Sequence, residues 1–149
     1  MIRHVFSVAC QVASVDQLSN SLSLFNVLES VTAQAPSQPL ISDPPVGLPI
    51  ESSVVSVWFN DGLQDEEATQ RISLVTPDAR VLKAHDASMI VKAGQSHRML
   101  AKMPAIPYFG DGRYWIEVSV LKGKAWECIA RLPFSIHVTV VSEPQVLVQ

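Results

Sequence analysis

Four histidines, His4, His85, His97 and His137, are the side chains whose ordinary pKa lies closest to neutrality. Two of them frame the stretch "HDASMIVKAGQSH", which also brings Asp86 near. A zinc centre needs three or four His, Cys, Asp or Glu ligands converging on one point, and this spacing matches no metal motif. His85 and His97 therefore read as solvated loop residues and His137 as an outward strand residue. Asp61, Asp65, Glu66 and Glu67 crowd into "NDGLQDEE", an oxygen-rich loop of the kind calcium favours. The alternating acids and terminal glutamate of an EF-hand are missing, so a solvated acidic hairpin loop is expected. Serines are plentiful, but no G-x-S-x-G occurs, and the six glycines are scattered rather than gathered into a phosphate loop. No metal, cofactor or catalytic residue is expected, and the chain does not read as an enzyme.

The clearest period in the chain is two, the repeat of a strand with one buried face. In "WECIARLPFSIHVTV" every even position from Trp126 through Cys128, Ala130, Leu132, Phe134, Ile136 and Val138 to Val140 is apolar, and Pro133 falls on the outward set. Upstream, "DGRYWIEVSVL" places Tyr114, Ile116, Val118 and Val120 on one side and Trp115, Glu117 and Leu121 on the other. Gly123 in "LKGK" suits a three-residue hairpin loop, which predicts pairing of Val118 with Trp126 and of Ile116 with Cys128. Further strands are expected at residues 2–10, 22–32, 53–60, 70–76 and 97–103, with a short return strand at 81–84 and one helical turn in "DEEATQ". Residues 34–50 hold half of the ten prolines, including a PxxP at Pro36 and Pro39. They read as a stiffened connection between two sheets rather than as a polyproline ligand.

With 149 residues, 48% apolar and 17% charged, the chain has a globular composition. Residues 1–142 are expected to form a single β-sandwich domain and 143–149 a C-terminal tail. Net charge is −3 with no basic run, which argues against nucleic acid. No apolar stretch approaches the length of a spanning helix, which argues against a membrane. In "MIRHVFSVACQ" the apolar run from Val5 to Ala9 is broken by Ser7 and too short for a signal peptide. Met1 is thus taken as the start of a cytoplasmic protein. Cys10 and Cys128 show no CxxC spacing and are expected as reduced, buried thiols.

The stretches "FSVACQVASVDQLSNSLSLFNVLESV", "RISLVTPDARVL" and "GDGRYWIEVSVLKGKAWECIARLPFSI" together resemble a family of uncharacterised bacterial proteins predicted to be immunoglobulin-like β-sandwiches. The resemblance implies an all-β, two-sheet antiparallel sandwich with a proline-rich crossover, and it implies no activity. On that comparison Tyr114 in "DGRY" is placed as a tyrosine corner, its hydroxyl bonded to backbone. Trp126 is expected in the core and Trp115 outside. Trp58 stays open, outward if Val55, Val57 and Phe59 point in, inward if it fills the place of a sandwich-core tryptophan. Trp115, Ile129, Leu121 and Trp58 are the candidate contact surface. The reading is a non-catalytic module that binds a protein partner or itself through a sheet face or edge strand. The alternative is a carbohydrate or small-ligand sandwich using exposed aromatics and the acidic loop.

Overall fold

A computed structural model describes residues 1–141, so the expected tail at 143–149 lies outside the described residues. Within them the chain is all-β. The strands in chain order are β1 (Ile2–Val15), β2 (Leu22–Val27), β3 (Ser30–Ala35), β4 (Gly47–Leu48), β5 (Ser52–Asn60), β6 (Glu66–Val75), β7 (Val81–Val91), β8 (Ser96–Met103), β9 (Ile106–Pro107), β10 (Gly112–Lys122) and β11 (Ala125–Val140). One sheet has the order β2-β1-β5-β8, a second β3-β11-β10-β6-β7, and β4 with β9 makes a small third. Neither large sheet closes into a barrel, so each keeps two edges. The expected 22–32 strand is divided between the sheets as β2 and β3, and "DEEATQ" opens β6 instead of a helical turn. β3 runs parallel to β11, with Ser30 beside Ser135, so the five-stranded sheet is mixed where an antiparallel one was expected.

The β10–β11 hairpin corrects the expected register. Lys122 pairs with Ala125 and Leu121 with Trp126, around a two-residue loop in which Gly123 takes φ +63°. A positive φ at the first central position is the habit of type II′ turns, where glycine carries no Cβ penalty. Pairing then runs to Ser119 and Cys128, skips Ile129, and resumes with Val118 and Ala130. This β-bulge exchanges the faces of everything on its turn side. Ala130, Leu132, Phe134, Ile136 and Val138 keep the inward side that alternation predicts, whereas Trp126 and Cys128 share the outward side with Leu121 and Ser119. Trp126 is therefore a half-buried residue of the outer face and not of the core, and Cys128 is an exposed thiol. Cys10 is buried, and both cysteines are free.

The two large sheets share one apolar cluster that includes Val54, Trp58, Ile72, Leu74, Tyr114, Ile116, Val118, Phe134 and Ile136. Polar groups within it are paired, as burial demands. Trp58 is 1% exposed, and its indole N–H donates to Gln70 Oε1 at 2.8 Å. Asn60 donates to the carbonyls of Gln64 and Val91 and accepts from the Gly62 N–H. Tyr114, wholly buried, donates to the Gly110 carbonyl at 2.7 Å and accepts from the Phe109 N–H at 2.7 Å. Its ring stacks on Phe134. The sequence-based expectation for Tyr114, burial with a hydroxyl tied to backbone, matches this geometry.

Candidate interaction surface

On the outer face of the five-stranded sheet two tryptophans sit in matching surroundings. Arg131 lies over the Trp115 ring, 4.6 Å from its centroid, and its Nε meets Glu117 at 3.0 Å. Arg71 lies over the Trp126 ring at 3.9 Å and bonds both carboxylate oxygens of Asp86, at 2.8 and 3.0 Å. Cross-strand pairing places these groups: Glu117 is opposite Arg131, and Arg71 is opposite Asp86. Each cation is thus held between an aromatic face and an acid, a favourable and self-contained arrangement. An arginine rests on one face of each indole, the kind of face a sugar ring would stack on.

Of the sequence-derived contact residues, Trp58, Leu121 and Ile129 come together, while Trp115 stands apart from them. The three line a cleft of about 370 Å³ at one end of the molecule, with His4, Glu66 and Glu67. Trp58 contributes to it from the core and not from an exposed surface. Ile129, the bulge residue, packs partly against the core. His4 meets the Trp58 ring edge-on and bonds the Ser7 hydroxyl at 2.7 Å; Ser7 in turn bonds Ser56 at 3.1 Å. Burial lowers the His4 pKa, which favours the neutral imidazole.

In the acidic stretch Asp61 and Glu66 both meet the Met1 amino group, at 3.0 and 2.6 Å. Asp61 pairs with Arg3, and Asp65 accepts the Ala93 N–H at 3.0 Å. His85 is on β7 opposite Ile72, and His97 is on β8 opposite Trp58, in different sheets. Among the described residues no group of three His, Cys, Asp or Glu is placed to hold a metal ion. No family model matches the chain, and no curated protein matches it significantly.

A further exposed apolar feature lies on the other sheet, and sequence alternation gave it no weight. β1 pairs with β5 only as far as Cys10, after which residues 11–15 pair with β2 alone. Beyond that point the hairpin is an arm. Val12, Phe25 and Val27 are 53%, 52% and 56% exposed, Val15 nearly as much, and Leu18 in its turn is fully exposed. Asp16 caps the turn by accepting the N–H groups of Leu18 and Ser19. Arg98 of β8 donates to the Asn20 side chain at 3.2 Å and to its carbonyl at 2.7 Å. Arg98 pairs with Val57, about 13 Å back from the Ser53–Lys102 pair at ~3.3 Å per residue. The arm therefore does not run straight on past β5 but folds back toward β8, on the side away from Val54 and Trp58. Val55 and Val57, which face that side, are buried. The signal in the sequence was the absence of charge from Gln17 to Leu28.

Proposed function

We propose that this chain is a non-catalytic interaction module, cytoplasmic, built as an immunoglobulin-like sandwich in which the proline-bearing residues between β3 and β5 form a crossover. The Tyr114 hydroxyl bridging Phe109 and Gly110, the buried Trp58 and the passage of the chain from β3 in one sheet to β5 in the other support that architecture. The observation that carries the functional reading is the β1–β2 arm, an exposed apolar surface joined to a free strand edge. Clustered exposed apolar side chains mark contact surfaces, and a bare edge offers backbone donors and acceptors to a partner.

The test is binding by the immobilised full chain with protein from its native host. A saturable binder should be lost in the double variant Val12→Lys with Val27→Lys and kept in Trp115→Ala. A binder kept by the arm variant and lost by Trp115→Ala would move the site to the opposite sheet. The second reading, a small-ligand or carbohydrate sandwich, draws on the cleft at Trp58, Leu121 and Ile129, whose volume is at the lower end of ligand sites. Saturable changes in tryptophan fluorescence on titration with a saccharide panel would favour it.

A further inference from the structure

We propose that the free edge of β8 accepts an extended acidic segment of a partner protein, which adds to the four-stranded sheet with alternate carboxylates against Arg98 and Lys102. This surface is separate from the β1–β2 arm, so it goes beyond the reading above. None of the strands β2, β1, β5 and β8 contains an Asp or Glu, whereas β6, β7, β10 and β11 of the other sheet each carry at least one. The acid-free run around β8 extends from Ala87 to Gly110. The Lys and Arg residues of the four strands are Arg3, Arg98 and Lys102. Arg3 is matched by Asp61, while Arg98 bonds the neutral Asn20. Among the described residues neither Arg98 nor Lys102 is ion-paired.

Register places both cations on one face of an edge strand. Arg98 pairs with Val57, Leu100 with Val55 and Lys102 with Ser53, while the intervening Ala101 pairs with Val54 on the core side. Arg98, Leu100 and Lys102 therefore stand at alternate positions, all exposed, with the two cations about 13 Å apart at ~3.3 Å per residue. An added strand has the same period, so acid, apolar and acid at its own alternate positions would meet cation, leucine and cation. Charges on an edge usually deter pairing. Here the deterrent is selective: a second β8 centred on Leu100 would set Arg98 against Lys102, whereas an acidic strand sets opposite charges together. Backbone bonds along the edge would supply contact, and the side chains the choice of partner. Glu51 lines the same cavity as Lys102 and is the acid such a partner would displace as nearest neighbour. Two cations in a chain of net charge −3 are too sparse for a nucleic-acid backbone.

The probe is a blocked, fluorescent peptide, Thr-Glu-Thr-Leu-Thr-Glu-Thr, which reads the same in both directions and so suits a parallel or an antiparallel approach. Anisotropy with the full chain should show saturable binding that weakens as salt is raised, and amides of residues 96–103 should gain hydrogen-exchange protection. Lys102→Glu, at an exposed position, should weaken binding by about three- to tenfold while leaving the melting midpoint unchanged. Adding Arg98→Glu should make the chain prefer the same peptide with lysine in place of glutamate. If that double variant fails to fold, Lys102→Glu decides alone. Lys124→Glu, an exposed charge change in the β10–β11 turn, should leave the affinity as it was. Absence of saturable binding, or binding indifferent to Lys102→Glu, overturns the proposal. Equal binding of a peptide with its two glutamates adjacent, or displacement by single-stranded DNA at equal charge, overturns it as well, because attraction to any negative charge would then suffice. The arm reading has its own readout in Val12 and Val27, so either surface can fail while the other stands.

Discussion

Tyr114 shows how much one hydroxyl can hold. It serves two backbone groups at once, the Phe109 N–H and the Gly110 carbonyl, in a stretch packed against the core. Tyr114→Phe keeps the stacking on Phe134 but strands both partners, and a buried unsatisfied group costs about 1–3 kcal/mol. Urea melts should show a loss in that range with an unchanged slope. Phe134→Ala should cost about 3–5 kcal/mol, the usual figure for a core aromatic, and Trp126→Ala far less because its ring lies on the outer face under Arg71. Equal losses for the two would return Trp126 to the core. Nearby, Asp111 accepts from Tyr108 at 2.6 Å and from the Val138 N–H at 3.2 Å, and pairs with His137 at 2.9 Å. The Tyr108 hydrogen bond, with help from Val138, Gln38 and His137, holds the Asp111 carboxyl below its usual range. Such a group stabilises the fold above its unfolded pKa, near 3.9, and that contribution is lost as pH falls through the lower folded value. Burial first, and then Asp111, pushes Tyr108 up to about 12. Its contribution is present below the ordinary tyrosine value of about 10 and lost as pH rises through the folded one. Melting midpoints should therefore fall below about pH 4 and above about pH 10; Asp111→Asn should flatten the acid limb, and Tyr108→Phe the alkaline one.

Within the elements, the Ile129 bulge decides which tryptophan does what. Residues 126 and 128 point out and 130 points in. Deleting Ile129 therefore joins the two halves of β11 into one unbroken alternation without moving any other side chain to the wrong face. Its cost should be bounded by the lost Ile contacts, no more than the 2–5 kcal/mol or so of an Ile→Ala change. Deleting Ser135 instead shifts Phe134 and its upstream neighbours against Ile136 and Val138, which should abolish cooperative unfolding. Guanidinium melts of both deletions test this, and an Ile129 deletion that fails to fold would show that the bulge's twist is itself required. The same bulge explains what could be read in advance. Period-two patterning in residues 113–121 and 130–140 located two central strands and the inward Tyr114, because one buried face enforces alternation. It could not reveal that Ile129 is skipped, since a sequence of alternating apolar residues looks the same on either side of a bulge. Nor did it reveal the arm, because half-exposed apolar residues on both sides of a hairpin leave no period, and Trp58 was ambiguous because β5 is apolar on both faces.

At the scale of the whole molecule, two sheets hold a shared core while a hairpin leaves one of them and doubles back. The root of that arm is loosely filled. A cavity of about 260 Å³ is lined there by Gln11, Val12, Ala13, Ser52, Ser53 and Lys102 among others, and the buried Ser52 hydroxyl has no hydrogen-bond partner. Stability is not uniform across a fold, and a segment with few buried contacts can open without global unfolding. The arm is such a segment, tied at its tip by the two bonds from Arg98 to Asn20. Arg98→Ala should therefore leave the melting midpoint nearly unchanged, since surface substitutions fall within about ±0.5 kcal/mol. It should nonetheless speed proteolysis within residues 16–20 and hydrogen exchange of the arm, while exchange in β10 and β6 stays at its original rate. Pulse proteolysis with mass mapping reads the first effect, and residue-resolved exchange the second. Equal protection in variant and parent would mean that the arm is held along its length rather than by its tip. A fall in protection across every strand would instead make the arm part of the cooperative core, and its apolar residues would then be structural before they are available to any partner.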